Sequence, residues 1–410
     1  MNIFNRYLPP LMSDYSALHI LFFDRPATLI LLSPGGCNQP TREVDEYRLL
    51  ENAKQYTTKL NDAHIAFGIE NLISKDILSN IDIDSDFIVI LGTSVTNIIG
   101  TDLFDISKKI ESITKKPVIY FNTSAFEAYS RALSEAYQKM CSFVCDSQSN
   151  EKKEINKKEI NIIGFNSIIH GHERFLDELI SLLEHKDIKV CLDGKNNIKN
   201  VQHKLSKKAC VSLVLSEEGI SLAELLKKED QIPFERVLPI SKKGVCDLYK
   251  VIEQYCGITY SPDRQYRSKE KFCIDKNKKI VVIGEPFFSF FLKNSLLVDF
   301  EISNITLLSL LEKNQFKNIF SGEIYNQVTF STEEKKVLDE ISAADVIIGD
   351  PLLKEVFPQV EEKNFIPLPF MGLSGREFIN VHYDYIGKSG FNYLKKELIK
   401  TGVIKEDEKI

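Results

Sequence analysis

Six short aliphatic runs, each leading into a glycine or a small polar residue, constrain this chain more than any other feature. They read TLILLSPGG at 28–36, DFIVILGTS at 86–94, KPVIYFNTS at 116–124, EINIIGFNS at 159–167, KKIVVIGEP at 278–286 and ADVIIGDP at 344–351. Continuous apolar strands of this kind are buried on both faces, as in parallel sheets covered by helices. Helical patterns follow several of them, SAFEAYSRALSEAYQKM at 124–140 and HERFLDELISLLEH at 172–185 among them. Strand, glycine loop and helix in repetition predict an α/β fold of doubly wound, mostly parallel sheets. Right-handed crossovers then set the loops at the carboxyl ends of the strands, where ligands usually bind.

The chain has 410 residues, too many for one ordinary core. Two charged stretches, 147–159 and 261–279, read as solvated linkers and divide it into 1–150, 151–262 and 263–410, each with its own sheet. The segment His19–Leu32, interrupted by Asp24, Arg25 and Pro26, reads as two strands, the second of them the run at 28–36. A net charge of −6 offers no basic field for nucleic acid or for an anionic membrane surface. No run of 18 apolar residues spans a bilayer, and MNIFNRYLPPLMSDYS lacks the charge and apolar pattern of a signal peptide, so a cytoplasmic protein is expected.

Eight cysteines without a CxxC pair are not a disulfide framework, and a reducing compartment keeps them as thiols. Cys141 and Cys145 share a helix face but form only half a zinc site; core or surface thiols are the plainer reading. The glycine loops complete neither GxGxxG nor GxxxxGK[ST], and IGEPFF sets a proline where a phosphate cradle needs N–H groups. Each glycine then serves to turn the backbone off a strand. His170 and His172, in HGH, read as a helix cap with solvated imidazoles, with metal ligation as the other reading.

Beyond these local signals, several segments resemble the nitrogenase component-1 superfamily, in order and over nearly the whole chain. SPGGCNQPTREVDEYRLLENAKQYTTKLNDAHIAFGIENLI at 33–73 resembles its glycine-cysteine turn after a strand, here Gly36-Cys37, followed by the Phe67-Gly68 turn and Leu72. GTSVTNIIGTDL at 92–103 is similar to the strand-end motif that follows, and KPVIYFNTSAFEAYSRALSEAYQKM to the next strand and helix. ADVIIGDP and PFMGLSGREFINVHYDYIGKSGFNYL resemble the closing segments, the latter nearer the β-type subunit.

The resemblance implies three doubly wound domains around a shallow cleft. It also implies a role as one subunit of a two-component oxidoreductase, paired with a homologous component-1 type subunit and fed low-potential electrons by a separate nitrogenase-reductase-like iron–sulfur ATPase. Three first-domain cysteines of the family bind iron at a subunit interface. Cys37 matches the middle one; the first falls near Leu8 and the third at Ser94, neither a cysteine. Cys37 is therefore the candidate metal ligand, with Gly35, Gly36 and Ser94 beside it. It would contribute to a 4Fe–4S cluster shared with the partner, an unequal sharing like that of protochlorophyllide-reductase-like relatives. Asp14 and Asp24 are more remote candidates. The cysteine and histidine that hold the molybdenum cofactor fall near Ser216 and Ile386, so no such cofactor is expected and the chain does not resemble a dinitrogen-reducing α-subunit. Two alternatives stay open: Cys37 as a buried thiol left after cluster loss, and the whole chain as a non-catalytic scaffold or cofactor-assembly partner.

Overall fold

The structure is a computed structural model that describes residues 11–23, 25–37, 54–69, 84–124, 126–145, 155–171, 174–184, 188–194, 201–258, 270–311, 322–361, 363–374 and 384–406, with Arg6 and Tyr266. Among the described residues the backbone builds three parallel sheets and one small antiparallel pair. The first sheet takes β1 (Ala27–Leu32), β2 (Gln55–Thr57), β3 (Phe87–Gly92) and β4 (Val118–Asn122) in the order β2-β1-β3-β4. The second takes β5 (Asn156–Ile163), β6 (Lys189–Leu192), β7 (Ala209–Val214) and β8 (Phe234–Arg236) in the order β6-β5-β7-β8. β9 (Phe272–Ile274) precedes the third sheet, built from β10 (Ile280–Ile283), β11 (Ile305–Ser309), β12 (Val328–Phe330), β13 (Val346–Gly349) and β14 (Asn364–Pro367), ordered β12-β11-β10-β13-β14. β15 (Ile404–Glu406) closes the chain by pairing antiparallel with β9.

Each sheet winds outward in both directions from a central pair, β1/β3, β5/β7 and β10/β13, which all run parallel. Such a reversal of strand order opens a crevice at the carboxyl edge. The six aliphatic runs form β1, β3, β4, β5, β10 and β13, and all but β4 are interior strands of their sheets. In the first sheet alternate residues serve different cores: Leu29, Leu31, Val89 and Leu91 face the large core, while Ile30, Leu32, Ile88 and Ile90 pack on Leu103, Ile106 and Ile110 of the helix Leu103–Thr114. The large core continues without a break through the second and third sheets, and a smaller one lies under the outer face of the third.

Four expectations change. His19 belongs to a helix, Asp14–Phe23, and only Ala27–Leu32 of that segment is a strand. Residues Asp14 to Phe22 are all buried, so the helix lacks the polar stripe by which periodicity reveals one. The stretch 261–279 is not wholly a linker, because Phe272 and Ile274 alternate with exposed Cys273 in β9. Likewise β5 begins at Asn156, inside the other charged stretch, whose residues 147–154 lie outside the described ones. The helix expected from 124 starts at Tyr129, because the Ser124 hydroxyl accepts the N–H groups of Phe126 and Glu127 in a tight turn.

Candidate functional site

The carboxyl edge of the first sheet gathers the residues that the sequence singled out. Chain leaving β1 passes through Ser33 and Pro34 into Gly35, Gly36 and Cys37, all three exposed. The turn is closed by the Cys37 N–H donating to the Pro34 carbonyl at 3.1 Å. It is tied sideways as well, where the Ser33 N–H donates to Thr58 Oγ1 at 2.9 Å and the Leu60 N–H to the Ser33 carbonyl at 3.2 Å. Across the crevice β3 ends at Gly92, opposite Leu32 in register. There Thr93 Oγ1 donates to the Leu32 carbonyl at 3.0 Å, and Ser94 begins the helix Ser94–Ile98, half-buried. Gly35, Gly36, Cys37 and Ser94 therefore share one sheet edge at its switch point.

The thiol of Cys37 is exposed, which overturns the reading of it as a buried remnant. It lies beside Tyr15, whose phenol burial pushes up and the neighbouring thiol pushes up further. Neither flanking glycine has a positive φ, and a Cβ added at Gly36 would meet nothing within 4 Å. The chain itself thus places no steric demand for glycine here; any demand comes from what covers the turn. Asp14 is no free donor: its Oδ1 accepts the Tyr15 N–H and its Oδ2 the Ser124 N–H at 2.8 Å, anchoring the helix Asp14–Phe23 to the end of β4. Leu8, Asp24, Leu72 and His172 lie outside the described residues.

As a donor set for iron, this edge offers one soft thiolate and one neutral hydroxyl. No other cysteine precedes Cys141 in the sequence, and no three His, Cys, Asp or Glu side chains converge on a common point among the described residues. Four thiolates usually hold a cubane, so the edge fits one corner of a shared cluster and not a cluster of the chain's own.

Large apolar side chains stand on the same edge. Phe67 ends the helix that follows β2, Ile98 ends the one that follows β3, and Phe126 lies just beyond β4; they are 89%, 83% and 89% exposed. Parallel strands put all these post-strand segments on one side. Contiguous apolar exposure marks a surface that something covers.

The crevices of the other two sheets carry a constellation that the sequence reading missed. After β7 come Ser216, Glu217 and Glu218, and after β10 comes Glu285, all of them buried. The Ser130 hydroxyl, from the helix Tyr129–Val144 behind the first sheet, donates to Glu218 Oε1 at 2.6 Å. Glu217 is paired with Arg236 at 2.9 Å. Glu285 accepts the N–H groups of Phe287 and Phe288 at 2.9 and 2.7 Å, so it caps its own helix and takes up the N–H groups a phosphate would need. Burial pushes the Glu285 carboxyl up, and the Glu218 carboxylate adds to the shift; burial pushes Glu218 up against the pull of the Ser130 hydroxyl. The buried Tyr129 ring packs on Phe370, and its phenol, pushed up by burial and then by Glu285 and Glu218, has no hydrogen-bond partner among the described residues. A glutamate closely following an aliphatic run is the signal for this centre, but Cys210 and Ser212 dilute the run ACVSLVL at 209–215.

His170 is buried against Phe165 and Phe175 instead of solvated. Both ring nitrogens lie 2.9 Å from a backbone carbonyl, Nε2 from that of Leu215 and Nδ1 from that of Asn166, whose N–H also faces Nδ1 at 3.3 Å. Ser216 and Ile386 are both buried, and Ile386 forms isolated bridges with Ile240 and Ser241.

Three doubly wound sheets around one continuous core, with a thiol-bearing switch point, define a class of α/β protein built from repeated nucleotide-fold-like units. A model of the nitrogenase component 1 type oxidoreductases matches residues 26–361, and the chain belongs to that family. Among solved structures it is similar to nitrogenase Cp1 at pH 6.5, with a TM-score of 0.70 and 16% identity over 98% of this chain and 94% of that one. It is similar too to nitrogenase Cp1 at pH 5, with a TM-score of 0.64 and 14% identity over 97% and 90% of the two chains. At these identities the likeness is one of fold. No curated protein matches by sequence. No described helix is long and apolar enough to cross a membrane.

Proposed function

We propose that this chain is one cytoplasmic subunit of a nitrogenase-like two-component oxidoreductase, and that the carboxyl edge of its first sheet docks a homologous component-1 type subunit. The observation that carries the reading is the coincidence of the exposed Cys37 with exposed Phe67, Ile98 and Phe126 on that one edge. An apolar rim excludes water from a buried thiolate–iron bond, and its burial drives association. Cys37 supplies one ligand of a 4Fe–4S cluster whose other ligands come from the partner, with Gly35, Gly36 and Ser94 lining the place where it sits. When bound, the cluster relays low-potential electrons delivered by a nitrogenase-reductase-like iron–sulfur ATPase. The chain's own part is to present the thiolate, to keep the turn fixed through Ser33, Thr58 and Thr93, and to leave space at Gly36. Three domains, 1–150, 151–262 and 263–410, each organise one sheet in this reading.

A second reading, a scaffold or cofactor-assembly partner, draws on the single thiol at an edge where relatives use three. Both readings require the docked partner. Co-expression with a homologous component-1 type chain, followed by size-exclusion chromatography with light scattering, tests that shared step. Wild type should run as a hetero-oligomer, and the Phe67→Glu/Phe126→Glu variant should stay soluble and alone. A wild-type monomer with no affinity for the co-expressed chain would overturn the proposal.

A further inference from the structure

Two buried thiols far from the first sheet are in contact. Cys210, the second residue of β7, and Cys256, the last residue of the helix Ser241–Cys256, bring their sulfurs to 2.9 Å across 46 positions of sequence. Each residue is 4% exposed, and both are free thiols. A disulfide forms at about 2.05 Å between cysteines whose Cβ atoms already face each other, so a small further approach completes the bond. We propose that Cys210 and Cys256 are a redox-convertible dithiol, a modification site that closes to a disulfide between β7 and the helix Ser241–Cys256 when the protein meets peroxide.

The chemistry balances with hydrogen peroxide as the named oxidant. One sulfur attacks a peroxide oxygen, the O–O bond breaks, and the departing hydroxide takes up the thiol proton and leaves as water. The resulting sulfenic acid is attacked by the second thiol; the S–O bond breaks, and a second water carries off the remaining proton. The sulfurs together lose two electrons, and one peroxide is reduced to two waters. A hydrogen bond between the thiols makes the first attack easier at one of them, since it lowers Cys256 while raising Cys210. Small size lets peroxide reach a pair that bulkier thiol reagents do not.

The other close pair makes a useful contrast. Cys141 and Cys145 sit 3.9 Å apart at one helix end and are less enclosed. A bond between them would close one turn of chain, whereas the Cys210–Cys256 bond joins a central strand to the helix that covers it. That strand leads directly into Ser216, Glu217 and Glu218, and that helix starts at Ser241, whose N–H donates to the Tyr385 carbonyl at 2.9 Å. Oxidation therefore stiffens the path from the acidic centre to the last part of the chain.

The test uses the full-length reduced chain, titrated with hydrogen peroxide, alkylated after denaturation and digested for mass spectrometry. Expected is a Cys210–Cys256 crosslinked peptide lighter by about 2 Da than its two reduced components, restored to thiols by dithiothreitol. The unfolding midpoint should rise on oxidation and fall back on reduction, and Cys256→Ser should abolish both changes. Cys210→Ser provides the same control if Cys256→Ser does not fold, and the wild-type peptide map decides without either. Full alkylation of both cysteines at peroxide levels that oxidise the exposed Cys37 and Cys273 overturns the proposal, as does pairing of Cys210 with any other cysteine.

Discussion

His170 lies in a slot where both ring nitrogens meet backbone groups, and burial lowers its pKa from 6.5 to about 4 against the opposing pull of the Asn166 and Leu215 carbonyls. Between those values the unfolded chain binds a proton that the folded chain refuses. Stability is therefore full above pH 6.5 and declines as pH falls toward 4, by on the order of 3 kcal/mol if the whole shift is realised. The buried carboxyls Glu218 and Glu285 act in the opposite sense, since raised carboxyl pKa values favour the folded state in acid. Comparing His170→Gln with wild type in urea at pH 7 and pH 4.5 separates the two. The variant should be less stable at pH 7 but lose less on acidification; parallel losses would contradict the account. Little of this was legible in HGH, because sequence spacing fixes neither burial nor the carbonyl that a ring nitrogen meets. Cys37 was legible as a residue that matters, but its exposure follows from where the turn after β1 projects.

At the scale of elements, the strand-and-loop grammar was the readable part. β1, β3, β4, β5, β10 and β13 are aliphatic and β-branched runs that announce themselves, and their parallel pairing follows from the crossover helices between them. β7 escaped because Cys210 and Ser212 dilute its apolar run, although every residue in it is buried. The helix Asp14–Phe23 escaped for the reverse reason, having no polar face at all. Loops at the middle sheet's switch point are fitted as closely as its strands. Gly164 holds φ +86 after β5, and a Cβ at Gly219 would come within 2.8 Å of the Gly164 Cα. Gly219→Ala should therefore cost roughly 1–3 kcal/mol, read as a lowered denaturation midpoint. Gly36→Ala, with open space around it, should leave the midpoint of the isolated chain unchanged. Equal effects of the two substitutions would show that the loop contact is not as tight as the packing indicates.

For the whole molecule, the unequal treatment of its three sheet edges is the informative fact. The second and third sheets turn their carboxyl edges inward onto buried glutamates and Tyr129, whereas the first leaves a thiol and large apolar rings exposed. A chain complete in itself gains nothing from exposing Phe67 and Phe126, so the account assigns that edge to a partner and Cys37 to what lies between. That the chain builds several doubly wound parallel sheets could be read from its sequence. Which edge stays open could not, because it depends on how the units pack and not on any one of them. Anaerobic co-purification with the homologous subunit, with iron quantified for wild type and for Cys37→Ala at equal assembly, tests this most directly. The account predicts bound iron in the wild-type complex and its loss or destabilisation in the variant, with the charge-transfer absorbance of the cluster falling in parallel. Iron unchanged by Cys37→Ala in an intact complex would contradict the ligand role and leave the scaffold reading in its place.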